Sequence, residues 1–260
     1  MGKEINQDKK YFAFPITMLR GFMDDTKGAI RDISSFALYH KTRDFENAPN
    51  YDNSNPAVIQ AVFQAAEYYG RNIFADPRES LKNGFQINKQ VKGHVIPYTA
   101  ISVSMARDFA MNDKSDFEKI TLLAFLALKS IAGNDNAYKT NKQMLYSRMA
   151  GQIKPVGRRH GTNFEIYEDE YFKTLPSNIA EWYEQKRFYK IKKALMLNWG
   201  LVYYSYHFRG FYFSFKLSIE NLVKHAESNR VASKLKEIEE ATKEARIKAI
   251  KELYPLQNKG

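Results

Sequence analysis

The chain has 260 residues, 44% of them hydrophobic, with 40 Lys or Arg against 29 Asp or Glu, for a formal net charge of +11. That length and apolar content allow a substantial core, in one compound domain or two small ones. The absence of cysteine excludes a disulfide framework, a thiolate zinc site and a cysteine nucleophile, and fits a reducing cytosol.

Residues 11–40 begin with an apolar segment, YFAFPITMLRGF, and continue in a helical pattern through Ile30, Ile33, Phe36, Ala37 and Tyr39. Residues 41–56, rich in Asn, Asp and Pro, read as a loop. Helical spacing resumes over 57–69 through Val58, Val62, Phe63 and Ala66, with Gly70 as its stop. The stretch 84–105 mixes β-branched residues with Gly93 and Pro97 and reads as a strand or two.

From Ser115 the punctuation sharpens. Ser115-Asp-Phe-Glu118 is a capping box, opening a helix over 116–131 that is apolar almost all round and ends at Gly133. Thr140-Asn-Lys-Gln143 has the same form and predicts a short helix that stops at Gly151. Residues 152–177 read as an irregular insertion. Asn178-Ile-Ala-Glu181 then starts a third helix, 178–198, followed by a hairpin: LVYYSY, a short HFRG turn, and FYFSFK. Residues 219–253 form a last, long helix.

Charge follows this organisation. Residues 1–112 carry a net +2, residues 113–217 a net +7 and residues 218–260 a net +2. From Lys186 to Lys216 there are seven Lys or Arg residues and no Asp or Glu. Lys142–His160 lacks acids as well, and a positive field confined to these two segments suggests a polyanion partner, whereas a solvated basic surface would have no such meaning.

Three helices and then a hairpin, ending in Gly200-Leu-Val and Arg209-Gly-Phe-Tyr-Phe213, resemble the winged-helix superfamily of DNA-binding domains over residues 115–216. The long 152–177 insertion departs from that plan. The expected fold class is mainly α with a small β-hairpin (α+β). It divides into a helical N-terminal region (1–112), a winged-helix domain (113–217) and a C-terminal helix (218–260).

At 100° per residue, Phe188, Ile191 and Leu195 form the core stripe of the third helix. Lys186, Tyr189, Lys190 and Lys193 lie opposite, with Trp182 and Tyr183 a turn earlier. Ammonium groups there would reach phosphates or guanine edges. The resemblance places Lys142 and Arg148 on the helix that crosses the phosphate backbone, and Arg209 on the wing. Arg158 and Arg159 belong to a basic stretch of the insertion that could order on DNA. Each set has a plainer reading, as solvated lysines or as aromatics packed beneath a neighbouring element.

Enzymatic signals are weak. There is no Gly-rich phosphate loop, and the histidines at 40, 94, 160, 207 and 225 lack metal-ligand spacing. His40-Lys-Thr-Arg43 matches the H-x-x-R element of tyrosine recombinases only superficially, because it falls too early in the chain. The acidic run Glu165–Glu170 reads as a solvated loop. No cofactor and no metal are expected.

The leading expectation is a non-enzymatic protein that binds double-stranded DNA, as a transcription regulator or a plasmid- or phage-type replication initiator. The alternatives are an interaction module binding an acidic protein partner and an RNA-binding protein. The helical stripe through Leu235, Ile238, Thr242, Ala245 and Ala249 suggests a homodimer through the C-terminal helix. Apolar runs such as Leu122–Leu128 are too short to cross a bilayer, and MGKEINQDKK is not a secretory signal, so the expectation is a cytoplasmic protein with no membrane partner.

Overall fold

A computed structural model describes residues 10–45, 55–133, 135–155, 174–205 and 210–253. The protein is mainly helical with two small antiparallel sheets, an α+β fold. Strand β1 (Tyr11–Pro15) alternates exposed Tyr11 and Ala13 with buried Phe12 and Phe14. It pairs antiparallel with β2 (Tyr98–Ser102), Ala13 facing Ala100. Between the two strands lie a 3₁₀ turn, Ile16–Leu19, and helices α1 (Thr26–Phe45), α2 (Pro56–Tyr69) and α3 (Pro77–Val91).

Local chemistry fixes these boundaries. Asn55 caps α2 ahead of Pro56, whose missing N–H costs nothing at the first helical position. Asp76 does the same for α3, accepting from Arg78 N at 2.8 Å and Glu79 N at 3.4 Å. Helix α3 crosses α1 at Gly84, where an added Cβ would lie 2.1 Å from the Ser35 carbonyl oxygen. The span 84–105, expected as strand, is therefore helix up to Val91, strand only over 98–102, and helix again in α4 (Val103–Met111). The Asp-Pro cap at residues 76 and 77 outweighs the local β-branched content.

Helix α5 (Asp116–Ala132) is the hub. Its capping box forms as expected, with Glu118 Oε2 accepting from Ser115 N at 2.8 Å, and Ile120 through Leu128 are largely buried. It joins the halves: Thr99 Oγ1 of β2 donates to Leu126 O at 2.8 Å, while α6 (Lys142–Met149) packs against it. One hydrophobic cluster runs from Phe12 to Phe213, with a small satellite of Tyr39, Val58, Val62 and Leu81 beneath α2 and α3.

Two starts differ from the expected ones. Helix α6 is capped by Asn141, which accepts from Met144 N at 2.7 Å, and not by a Thr140 capping box. Thr140 instead ends β3 (Tyr138–Thr140), a strand that the sequence did not suggest. The expected helix 178–198 is broken as well. A short α7 (Ser177–Ala180) leads into a 3₁₀ turn, Glu181–Tyr183, and an extended Glu184 (φ −56°, ψ 143°) precedes α8 (Gln185–Trp199). Helix α8 ends at Gly200 in the left-handed conformation (φ 65°), with Leu201 N bonded to Leu195 O at 3.2 Å.

Strands β4 (Val202–Ser205) and β5 (Phe211–Ser214) form the hairpin and, with β3, a sheet of order β3–β5–β4. Gly210, at φ 123°, lets the hairpin return against Thr140: a Cβ there would lie 2.3 Å from the Thr140 carbonyl oxygen. Helix α9 (Ile219–Leu253) packs Leu222 and Ala226 against the hairpin, and Tyr204 Oη donates to Glu227 Oε1 at 2.9 Å. Among the described residues no helix is long and apolar enough to cross a membrane.

Candidate nucleic-acid interface

Helix α8 has two sharply different faces. Phe188, Ile191, Ala194 and Leu195 are buried, as the core stripe required. Lys186, Tyr189, Lys190 and Lys193 are exposed, Tyr189 to 62%. Trp182 and Tyr183 do not continue that outer face. The turn at 181–183 rotates them inward, so Tyr183 is buried against Tyr146 (ring centroids 4.9 Å apart) and Trp182 packs on Phe117 (5.9 Å).

The flank toward the hairpin gathers further cations on aromatic rings. Lys142 Nζ lies 3.8 Å from the Tyr183 centroid and 5.6 Å from that of Phe188. Lys192 Nζ lies 5.0 Å from the same Phe188 ring and 4.4 Å from Tyr203 of β4. Two ammonium groups thus share one ring, where quadrupole attraction offsets part of their repulsion. Lys142, expected as a contact, is brought to α8 in this way. Lys192 was missed; its helical angle placed it at the stripe's edge, and only the hairpin's position reveals its role.

Pairing distinguishes these cations. Arg187 bonds Glu181 at 3.4 Å. Among the described residues, Lys186, Lys190, Lys192 and Lys193 make no ion pair, while lysines around α5 pair with Asp108, Asp113, Asp116 and Glu118. The Lys27 ammonium holds the Asp113 carboxyl below its usual range, and the Lys114 bond does the same for Asp108. Asp108, Asp113, Asp116 and Glu118 are therefore engaged away from α8, while Glu181 holds Arg187 and Glu184 stands exposed at the helix start.

Arg148 is not exposed as Lys186, Lys190 and Lys193 are. It lies half-buried at the end of α6 beside Tyr138, and burial lowers its affinity for a proton. Its Nε and Nη1 are buried without hydrogen-bond partners. Arg158, Arg159 and Arg209 lie outside the described residues, as do His160, Glu165–Glu170 and the hairpin tip at 206–209. Among the described hairpin tyrosines, Tyr203 and Tyr204 are half-buried: Tyr203 lies 5.1 Å from Phe211, and Tyr204 is tied to α9.

On its opposite flank α8 borders a groove of about 540 Å³, floored by Phe117, Trp182, Ala194 and Leu197 and edged by Lys190 and Lys193. His40 lies half-buried in α1, far in sequence from these groups, between the Phe36 and Tyr39 rings. No protein-family model, curated protein or solved structure matches the chain.

Proposed function

We propose that the chain is a non-enzymatic protein that binds double-stranded DNA through a winged-helix module, α5 to β5, as a transcription regulator or a plasmid- or phage-type replication initiator. The observation that carries this reading is the outer face of α8: Lys186, Lys190 and Lys193 are exposed beside Tyr189 and make no ion pair among the described residues, with Lys142 and Lys192 gathered on the adjacent flank. Lysines in this arrangement neutralise phosphates, and the middle of the outer face is where base edges would be read. The sheet order β3–β5–β4 and the resemblance at residues 200–213 support the same module. Helix α9 leaves Leu235 and Ile238 exposed, which supports pairing of two copies on adjacent half-sites.

Fluorescence anisotropy with a mixed-sequence DNA duplex tests this. With about six phosphates neutralised, affinity falls roughly 10³-fold between 50 and 200 mM salt. Lys190→Gln/Lys193→Gln lowers the log–log salt slope by about two and leaves the melting temperature unchanged. No binding at 50 mM salt would sink the reading and leave the acidic protein partner. Single-stranded RNA outcompeting the duplex would replace DNA with RNA.

A further inference from the structure

We infer that α3, in the N-terminal half, is a second DNA-contacting surface, separate from α8. This rests on the reading of the chain as a DNA-binding protein, though not on the α8 site itself. Three observations carry it. First, from Ser80 to Arg107 there is no Asp or Glu, although this half as a whole is nearly balanced. Second, Arg78, Lys82 and Lys89 are exposed at spacings of four and seven residues, which puts them along one side of the helix. They span about 16 Å of axis at 1.5 Å per residue, the rise of about five base pairs at 3.4 Å. Third, among the described residues none of them makes an ion pair, and neither does Arg71 or Lys92.

The surface is held by the fold. The guanidinium groups of Arg71 and Arg78 lie 5.2 and 5.9 Å from the centroid of one ring, Phe63 of α2. Lys89 Nζ lies 4.4 Å from the Phe85 ring. These cation–π contacts keep like charges together without neutralising them. Of the acids nearby, Asp76 caps α3 and Asp32 accepts from Asn83 at 2.7 Å; both lie with Glu79 around the cavity that Lys82 and Gln86 also line. Glu79 is exposed in the first turn, about 80° around the helix from the middle of the basic stripe.

Duplex DNA fits this surface better than an acidic protein does. Gln86 and Gln90 are exposed one turn apart on the outer face, about 60° and 100° around the helix from the middle of the basic stripe, on the side where Glu79 also lies. Amide side chains pair bidentately with adenine edges while flanking cations take phosphates. At its C-terminal end the helix runs into a fully exposed loop, Lys92-Gly93-His94-Val95, with Val95 98% exposed.

The test compares Arg71→Gln/Arg78→Gln/Lys82→Gln/Lys89→Gln with Lys186→Gln/Lys190→Gln/Lys193→Gln in the full chain, on one 40-base-pair DNA duplex and its RNA counterpart. All seven side chains are exposed, so both variants keep the parent melting temperature. The milder Lys82→Gln/Lys89→Gln serves if the larger set does not. At about 0.9 per phosphate, the α3 variant lowers the salt slope on DNA by between about 2 and 3.5. That drop supports the inference whatever the α8 variant does; if the α8 variant then binds like the parent, the α8 reading alone fails. A parent slope in the α3 variant, with the α8 variant weakened, overturns the inference and leaves the α8 reading intact. A loss confined to RNA also overturns it, and a parent chain that binds no DNA overturns both.

Discussion

Helices α3 and α8 both present cations without ion pairs among the described residues, yet they are seated in opposite ways and come from segments of very different net charge. Helix α8 lies in the segment of net +7, and α3 in a half of net +2. Around α5 the acids Asp113, Asp116 and Glu118 are engaged by lysines, whereas in the N-terminal half no acid falls within 80–107, and Asp76 and Glu79 lie only at the start of α3. Local pairing therefore decides where a positive field emerges, and summed charge conceals it. The seating differs too. Phe188, Ile191 and Leu195 hold α8 by filling volume, whereas α3 is held by removing volume, at Gly84 against Ser35.

The largest expected effect separates these two modes. Phe188→Ala removes a ring packed 6.0 Å from Tyr146 and 6.4 Å from Phe211, and costs about 3–5 kcal/mol in a guanidinium chloride titration. A cost below about 1 kcal/mol would show that the side-chain stripe does not seat α8. Gly84→Ala gives a smaller effect whose sign is decisive. In an exposed helix the change stabilises by about 1 kcal/mol. Here the new Cβ meets a backbone oxygen, and overpacking costs about 1–3 kcal/mol, so net destabilisation is expected. A stabilised Gly84→Ala protein would mean that the helices do not cross so closely.

The same contrast explains what the sequence revealed. The buried side of α8, the long C-terminal helix and the Ser115–Glu118 box were legible because periodicity and capping are local properties. The beginning of α8 was not, because the extended Glu184 is imposed by the burial of Tyr183 on Tyr146, a contact 37 residues away in the chain. Strand β3 has three residues and exists only by pairing with β5, Lys139 facing Tyr212. Helix α3 was obscured by Gly84 in its middle, a residue that argues against a helix locally and is required there by α1. Of the candidate site, Lys186, Tyr189, Lys190 and Lys193 follow from helical angle alone. Lys192, and the burial of Arg148, depend on tertiary placement.

The smallest expected effect tests the seat of α3 by pH. His40 on α1 lies 4.4 Å from the Phe36 ring and 5.3 Å from the Tyr39 ring, and its Nε2 is buried without a partner. Burial lowers its pKa below the ordinary 6.5 and Arg43 lowers it further, while the Asn88 side chain on α3 and Asp44 oppose the shift. The folded chain therefore holds the neutral ring where the unfolded chain would take up a proton. This contribution is fully present above pH 6.5 and is lost as pH falls through that value toward the folded pKa. His40→Phe keeps a ring in place but cannot titrate. The parent's melting temperature should therefore decline more than the variant's between pH 7.5 and 5.5, above the range where most carboxylates titrate. Helix α8 is seated by Phe188, Ile191 and Leu195, none of which ionises, so Phe188→Ala should shift the melting curve equally at both pH values. A parent-minus-variant difference for His40→Phe that is flat across the window would place the histidine in water, and the α1–α3 contact would then be looser than the Gly84 approach implies.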